Sequence, residues 1–247
     1  MALAIKDTLR SLLRRCGYDV RRDNPATRPE CMLQTLLCRA NVDLVLDVGA
    51  NSGQYGHLMR SIGYRGEIIS FEPSSAAHAL LLATASADQH WKVTPRLALS
   101  DRAGDAVLHV AGNSASSSLL NATSLHDRAA PHAKTMASER VRCERLDTAA
   151  KKFITDNASV LLKIDTQGTE DRVLAGAAGI LSLVQVIQIE LSFAPLYEGQ
   201  AGHLDLMRLV KDLGFDIFSI HPNFYDPVTA ALLQCDAFFI RSGIPSV

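Results

Sequence analysis

The stretch Leu44-Val-Leu-Asp-Val-Gly-Ala-Asn-Ser-Gly-Gln-Tyr55 constrains the fold of this chain more than any other. Leu44 to Val48 is apolar except for Asp47, and Gly49 and Gly53 follow before helix-compatible sequence begins. A short apolar run that breaks into glycines and then into a helical pattern reads as a buried parallel strand, a tight loop and a helix. Glycine belongs where the backbone takes positive φ or lies against a ligand with no Cβ between them. The loop is therefore expected to carry a ligand. Its spacing, Gly49 through Gly53 to Gly56, is not the G-x-G-x-x-G that cradles a pyrophosphate. A carboxylate at Asp47 would repel a phosphate and suit a ligand bearing an ammonium or a sulfonium. S-adenosylmethionine fits that description better than NAD.

Composition narrows the classes. With 247 residues, 47% of them hydrophobic, the chain can bury one sizeable α/β core. Its 25 basic and 26 acidic residues leave a net charge of −1, so no global field draws it to nucleic acid. The five cysteines, Cys16, Cys31, Cys38, Cys143 and Cys235, are scattered without a C-x-x-C pair, and read as reduced thiols of a cytoplasmic protein. No apolar run approaches the ~20 residues of a membrane span, so no transmembrane segment is expected. The histidines show no i, i+4 pair, which argues against a histidine metal site.

Residues 1–22 interleave Leu3, Ile5, Leu9, Leu12 and Leu13 with Lys6, Arg10, Arg14 and Arg15, the pattern of an amphipathic helix with a basic face. With a second helix at about Glu30 to Arg39, it forms an N-terminal region, residues 1–43, expected to pack on a single domain of residues 44–247. After the glycine loop the spacing predicts a helix over Gln54 to Ile62 and a second strand ending at Glu72. Glu72 falls about 20 positions beyond Gly53, where an acidic residue closes the second strand of a nucleotide-binding fold and holds a ribose. A carboxylate accepts from both ribose hydroxyls at once; a plain strand-end glutamate is the alternative. A helix from about Ser75 to Ala87 opens on a serine cap. A third strand, Trp91 to Leu99, leads to Asp101, which is placed to accept from an adenine amino group or to serve as an ordinary turn residue.

Residues 112–138 are polar and long for a connection, which predicts a lid or disordered loop, with Ser117 and Ser118 as acceptor-side candidates. Further strands are expected at Glu139–Arg145, Val160–Asp165 and Val184–Glu190, with helices over Glu170–Ala178 and His203–Leu213. The loop Ser192 to Gly202, with Tyr197 and Glu198, is expected to form a second wall of the acceptor pocket. Phe215–Ile220 and Gln234–Arg241 are joined without room for a helix and must be antiparallel. Asp47, Glu72, Asp101, Asp165 and Glu190 all fall near carboxyl ends of strands, where open α/β sheets bind ligands.

Five stretches in this order, Asp47-Val-Gly-Ala-Asn-Ser-Gly-Gln-Tyr, Phe71-Glu-Pro, Ala98-Leu-Ser-Asp, Leu162-Lys-Ile-Asp-Thr-Gln-Gly-Thr-Glu and Glu190-Leu-Ser-Phe-Ala-Pro-Leu-Tyr-Glu-Gly-Gln, resemble the FkbM family of methyltransferases over roughly residues 15–241. The strand pattern predicts a seven-stranded, mostly parallel α/β sheet with an antiparallel C-terminal hairpin, and the resemblance implies that this is a Rossmann-like class I methyltransferase fold. It also implies S-adenosylmethionine as donor and O-methylation of a small-molecule or glycan acceptor such as a sugar or polyketide. Carried over by position, the donor-binding roles fall on Asp47, Gly49, Asn51, Gly53, Glu72 and Asp101. The flanking Ala50, Tyr55, Pro73, Leu99 and Ser100 complete the expected donor site.

An alcohol has a very high pKa, so methyl transfer needs a base as the C–O bond forms, a contribution of typically ~10²–10⁴ in rate. Asp165 is the first choice and Glu190 the second, with His221 in reserve. No metal ligands are assigned; a magnesium ion held by Asp165 and Glu190 is a further reading, although two carboxylates make a poor cage. The rival classes are an NAD-dependent oxidoreductase and a catalytically silent protein of the same fold.

Overall fold

The computed structural model describes residues 11–18 and 28–244. Helix α1 (Pro29–Arg39) precedes β1 (Leu44–Val48), α2 (Gln54–Ser61), β2 (Glu67–Phe71), α3 (Ser75–Ala85), β3 (Trp91–Val93), β4 (Ala98–Leu99) and β5 (Gly104–Ala111). Then come α4 (Ser124–Ala129), β6 (Thr135–Glu144), α5 (Leu146–Ala149), β7 (Val160–Ile164) and α6 (Glu170–Gly176). The chain closes with β8 (Val184–Ser192), α7 (His203–Asp212), β9 (Phe215–Tyr225) and β10 (Leu232–Arg241).

Seven strands form one sheet in the order β3-β2-β1-β7-β8-β10-β9. The β3-β2, β2-β1, β1-β7 and β7-β8 pairs are parallel, while β10 runs antiparallel to both β8 and β9. This is the Rossmann-like class I methyltransferase arrangement expected from the sequence. A parallel sheet covered on both faces buries its strands completely, and β1 and β7 are buried at every position. Alternate residues feed two cores. Leu44, Leu46, Val48, Leu162 and Ile164 pack into one with α6 and α7. Val45, Ile68, Leu161, Val186 and Ile240 pack into the other with α1 and α2.

Three sequence expectations change. The third strand is not continuous: β3 ends at Val93, and Ala98–Leu99 pairs instead with β6 in a separate three-stranded sheet, β4-β6-β5. Periodicity cannot show that a strand changes partners. Residues 112–138 are not one loop, because α4, a turn of 3₁₀ helix at Pro131–Ala133 and the start of β6 lie inside them. The remaining 112–123 segment is pinned by bridges from Ser118 to His109 and from Ala122 to Tyr197. The serine cap of α3 also differs: Ser74 holds the cap position without a side-chain bond. The Ser75 N–H donates to Glu139 Oε2 at 3.0 Å instead.

The expected basic helix over 1–22 falls largely on residues outside the described set; residues 11–15 are helical and Leu12 is exposed. Among the described residues no helix is long and apolar enough to cross a membrane. The five cysteines are free thiols.

Candidate active site

The site begins where one sheet face turns polar. On the side that buries Ile68, Val45, Leu161 and Val186, the next residues along each strand are Ser70, Asp47, Lys163 and Gln188, and they stand opposite one another in register. One step further come Glu190 and Asp236, opposite each other on β8 and β10. Side chains opposite in register share a face and meet. Six strand positions thus build one polar patch at the carboxyl ends.

Asp47 is fully buried beneath the glycine loop. Its carboxylate pairs with Lys163 Nζ at 3.1 Å and accepts from Ser70 Oγ at 3.1 Å. Lys163 Nζ also donates to Gly49 O at 3.0 Å and lies 3.5 Å from Asp165 Oδ2. Burial pulls the pKa of the ammonium down, but Asp47 and Asp165 outweigh that and raise it above the usual lysine value. The Asp47 charge is therefore answered by the protein's own cation.

Gly49, at φ +79°, packs so closely on β7 that a Cβ would sit 1.8 Å from Asp165 O. Gly56 serves packing of another kind, since a Cβ there would meet the Trp91 ring at 2.1 Å. Beyond Gly49 the chain turns through Asn51, itself at φ +47°. Glu72 receives that turn: Oε2 accepts from the Asn51 N–H and Oε1 from the Ser74 N–H, both at 2.8 Å. The carboxylate bridges the two loops that follow β1 and β2. Burial pushes its pKa up to about 7 against the pull of those two donors.

A cleft of about 390 Å³ opens over this end of the sheet. Gly49, Ala50, Asn51, Tyr55, Glu72, Pro73 and Leu99 line one part of it, and Lys163, Asp165, Gln188 and Asp236 another. Ser117 and Ser118 border it from the segment after β5. Its size is that of a small-molecule site.

Behind Asp165 stands a group of buried carboxyls. Gln167 Nε2 donates to Asp165 Oδ1 at 2.7 Å and to Glu190 Oε2 at 2.9 Å. Glu190 also accepts from Gln234 Nε2 at 2.6 Å and Asn223 Nδ2 at 3.3 Å. Burial, aided by Asp165, Glu170 and Asp236, pushes the Glu190 carboxyl well above the usual carboxylate range. Burial and Asp165 raise Asp236 in the same way. Glu170, raised chiefly by burial, accepts from the Thr166 and Gly168 N–H groups at 3.0 Å each and so shapes the loop after β7.

The structure brings together most, though not all, of the residues expected from the sequence. Gly49, Ala50, Asn51, Tyr55, Glu72, Pro73, Leu99 and Asp165 face the cleft. Asp47 supports the loop from below. Gly53, at φ +99°, packs near Thr84 and Trp91 and is not among the lining residues. Ser100 and Asp101 lie outside the cleft wall, where the Ser100 hydroxyl donates to Asp101 Oδ1 and Arg145 donates to Asp101 O. Adenine contact by Asp101 rested on a third strand that the structure breaks. Glu190 and Tyr197 stand behind the wall, Tyr197 with its hydroxyl 2.8 Å from Gln167 Oε1. His221, beside Phe238 on the outer hairpin, is also off the cleft.

Sequence reasoning passed over Lys163, Gln167, Gln188 and Asp236. The available signal was a lysine inside a strand otherwise apolar throughout and an aspartate inside Cys-Asp-Ala-Phe-Phe-Ile. A polar residue costs too much there to be idle. Among the described residues no group of three or more His, Cys, Asp or Glu is arranged to hold a metal ion. The facing oxygens of Asp165 and Glu190 are bridged by the Gln167 amide.

The family model for the methyltransferase FkbM domain matches residues 47–217. Solved structures similar to this chain include an rRNA methylase from Streptococcus thermophilus, 10% identical over 87% of this chain and 97% of that one, with a TM-score of 0.46. Another is Aeropyrum pernix fibrillarin in complex with S-adenosyl-L-methionine, 12% identical over 80% of this chain and 66% of that one, with a TM-score of 0.44. No curated protein matches.

Proposed function

This chain belongs to the FkbM methyltransferase family, and on that premise we propose that it moves the methyl group of S-adenosylmethionine to a hydroxyl oxygen of a small molecule or glycan. Residues 44–247 act as one catalytic domain in this reading. The observation that carries it is the pairing of Glu72 and Asp165 across one cleft of about 390 Å³. Glu72 keeps lone pairs beyond those used by Asn51 and Ser74, as a ribose diol requires, and Gly49 lets the backbone lie flat beneath. When bound, the donor supplies an activated methyl group on its sulfonium.

The remaining work is alignment and removal of one proton. Asp165 is the base. It faces the cleft with 37% of its side chain exposed, whereas the Glu190 carboxyl is buried and raised toward its protonated form. Asp165 would take the hydroxyl proton of the acceptor as its oxygen receives the methyl group, and the donor would leave as the neutral thioether. Lys163 keeps the Asp165 carboxylate beside a positive charge before the transfer.

Lys163 is the only Lys or Arg among the described lining residues, and it is already paired. That favours an acceptor without phosphate, such as a sugar or polyketide hydroxyl, over a nucleic acid. The test has two arms. Calorimetry with S-adenosylmethionine, S-adenosylhomocysteine and NAD should show binding of the first two at micromolar level. Radiolabelled donor incubated with hydroxylated sugars and polyketides, read by mass spectrometry, should label oxygen. Binding of NAD alone would replace the reading with an oxidoreductase.

A further inference from the structure

Gln167 occupies an unusual place. It follows β7 in a left-handed conformation, φ +57°, which an ordinary side chain adopts only when its surroundings impose it. Two segments impose it from different directions. Ser118, buried midway along the segment after β5, donates from Oγ to Gln167 O at 2.6 Å. Tyr197, buried in the loop after β8, has its hydroxyl 2.8 Å from Gln167 Oε1 and 3.1 Å from Ser116 O, and its single hydrogen serves the shorter contact to Gln167.

With its carbonyl oxygen so engaged, the amide presents both hydrogens the other way, to Asp165 Oδ1 at 2.7 Å and Glu190 Oε2 at 2.9 Å. The reversed amide would set a carbonyl oxygen against the Asp165 carboxylate and would lose the bond donated there. The head group is therefore fixed in one orientation.

We propose that Gln167 is the positioning residue of this site: held from behind by Tyr197 and Ser118, its amide aims the Asp165 carboxylate into the cleft, and the two segments act on the transfer through it. The inference rests on the reading of Asp165 as base. It gives the Ser118 and Tyr197 segments a chemical role that needs no contact between Tyr197 and the acceptor.

The test reads the carboxyls directly. In the free protein, ¹³C NMR follows the Glu190 titration and the Asp165 χ1 couplings in wild type and in Gln167→Met, which keeps length and removes the amide. The titratable groups facing Glu190 are Asp165 after β7, Glu170 on α6, Asp236 on β10 and Tyr197, with Asn223 and Gln234 as neutral donors. Losing one donated bond to the ionised form should move the Glu190 midpoint upward by about one pH unit, and Asp165 should pass from one rotamer to averaging. Gln167→Asn, which tolerates the left-handed backbone but cannot span both carboxyls, should behave alike and stands in if the methionine variant does not fold. S-adenosylhomocysteine affinity on the same samples should stay within about threefold, because Gln167 lies off the Glu72 side. A Glu190 midpoint that stays in place, or an Asp165 side chain that keeps one rotamer, overturns the proposal. Wild-type protein that binds no S-adenosylhomocysteine removes the donor-site reading instead and leaves the Gln167 measurement standing.

Discussion

Lys163 Nζ and Asp47 Oδ1 lie 3.1 Å apart, directly across the β7–β1 register, with both side chains almost wholly buried. The pair sits at the border between the apolar core and the cleft, and Lys163 ties Asp47, Gly49 O and Asp165 into one unit. A charge left alone at this depth has neither water nor partner.

Removal of the lysine should therefore be costly. Lys163→Met strands Asp47, and the cost of breaking a buried pair is about 3–5 kcal/mol. Urea denaturation should show that loss, and the double variant Lys163→Met with Asp47→Asn should recover at least about half of it. A single variant within about 1 kcal/mol of wild type would mean that the Lys163–Asp47 pair does not hold this end of the sheet together.

Two glycines separate backbone strain from steric contact. Gly49 and Gly199 have nearly the same φ, +79° and +77°, but a Cβ at Gly199 meets nothing within 4 Å. Gly199→Ala should cost only the left-handed penalty of about 1–2 kcal/mol. Gly49→Ala should add displacement of β7 against the loop, lose at least about 2 kcal/mol more, and abolish S-adenosylhomocysteine binding. Equal thermal stability of the two variants would contradict the close approach of Gly49 to Asp165.

Glu72 makes donor binding depend on pH. Its folded value of about 7 lies above the 4.5 of the unfolded chain, so its contribution to stability is fully present below 4.5 and is lost as pH rises through 7. The difference corresponds to about 3 kcal/mol. Ligand binding runs in the opposite sense, because ribose hydroxyls donate to the ionised form. S-adenosylhomocysteine should bind about tenfold more weakly at pH 6 than at pH 8. Glu72→Gln should flatten both profiles and weaken binding at pH 8 by about tenfold or more. Calorimetry at several pH values checks the first, and a pH-independent wild-type affinity would remove Glu72 from the ribose.

Asp165→Asn keeps shape and removes basicity. With an acceptor identified by the label screen, kcat should fall by about 10²-fold or more while donor affinity stays within a few-fold, the pattern of a group used in the transition state. Asp236→Asn, on the same cleft but across from Glu190, serves as the comparison. A larger kcat loss in Asp236→Asn than in Asp165→Asn would transfer the base to β10.

Much of the scaffold was legible before any coordinates. Leu44–Val48 and Val160–Ile164 are short runs, apolar but for Asp47 and Lys163, and both are strands in the structure. The Phe215 and Gln234 segments had no room for a helix between them, and β9 and β10 pair antiparallel. Such features depend on residues near one another in the chain. The break between Val93 and Ala98 was not legible, because its cause is a second sheet whose strands β5 and β6 arrive later in the sequence.

What the sequence by itself determined is the order of the elements, the glycine loop, and the strand-end positions of Glu72 and Asp165, since periodicity and glycine spacing are local physical constraints. Which charge each carboxylate answers was decided only in three dimensions. Asp47 read as a partner for a cationic ligand, yet register places Lys163 beside it from 116 positions further along the chain. Gln167 read as a loop residue until Tyr197 and Ser118 closed on it. A carboxylate's state depends on the few ångströms around it, and those ångströms are filled by residues remote in sequence.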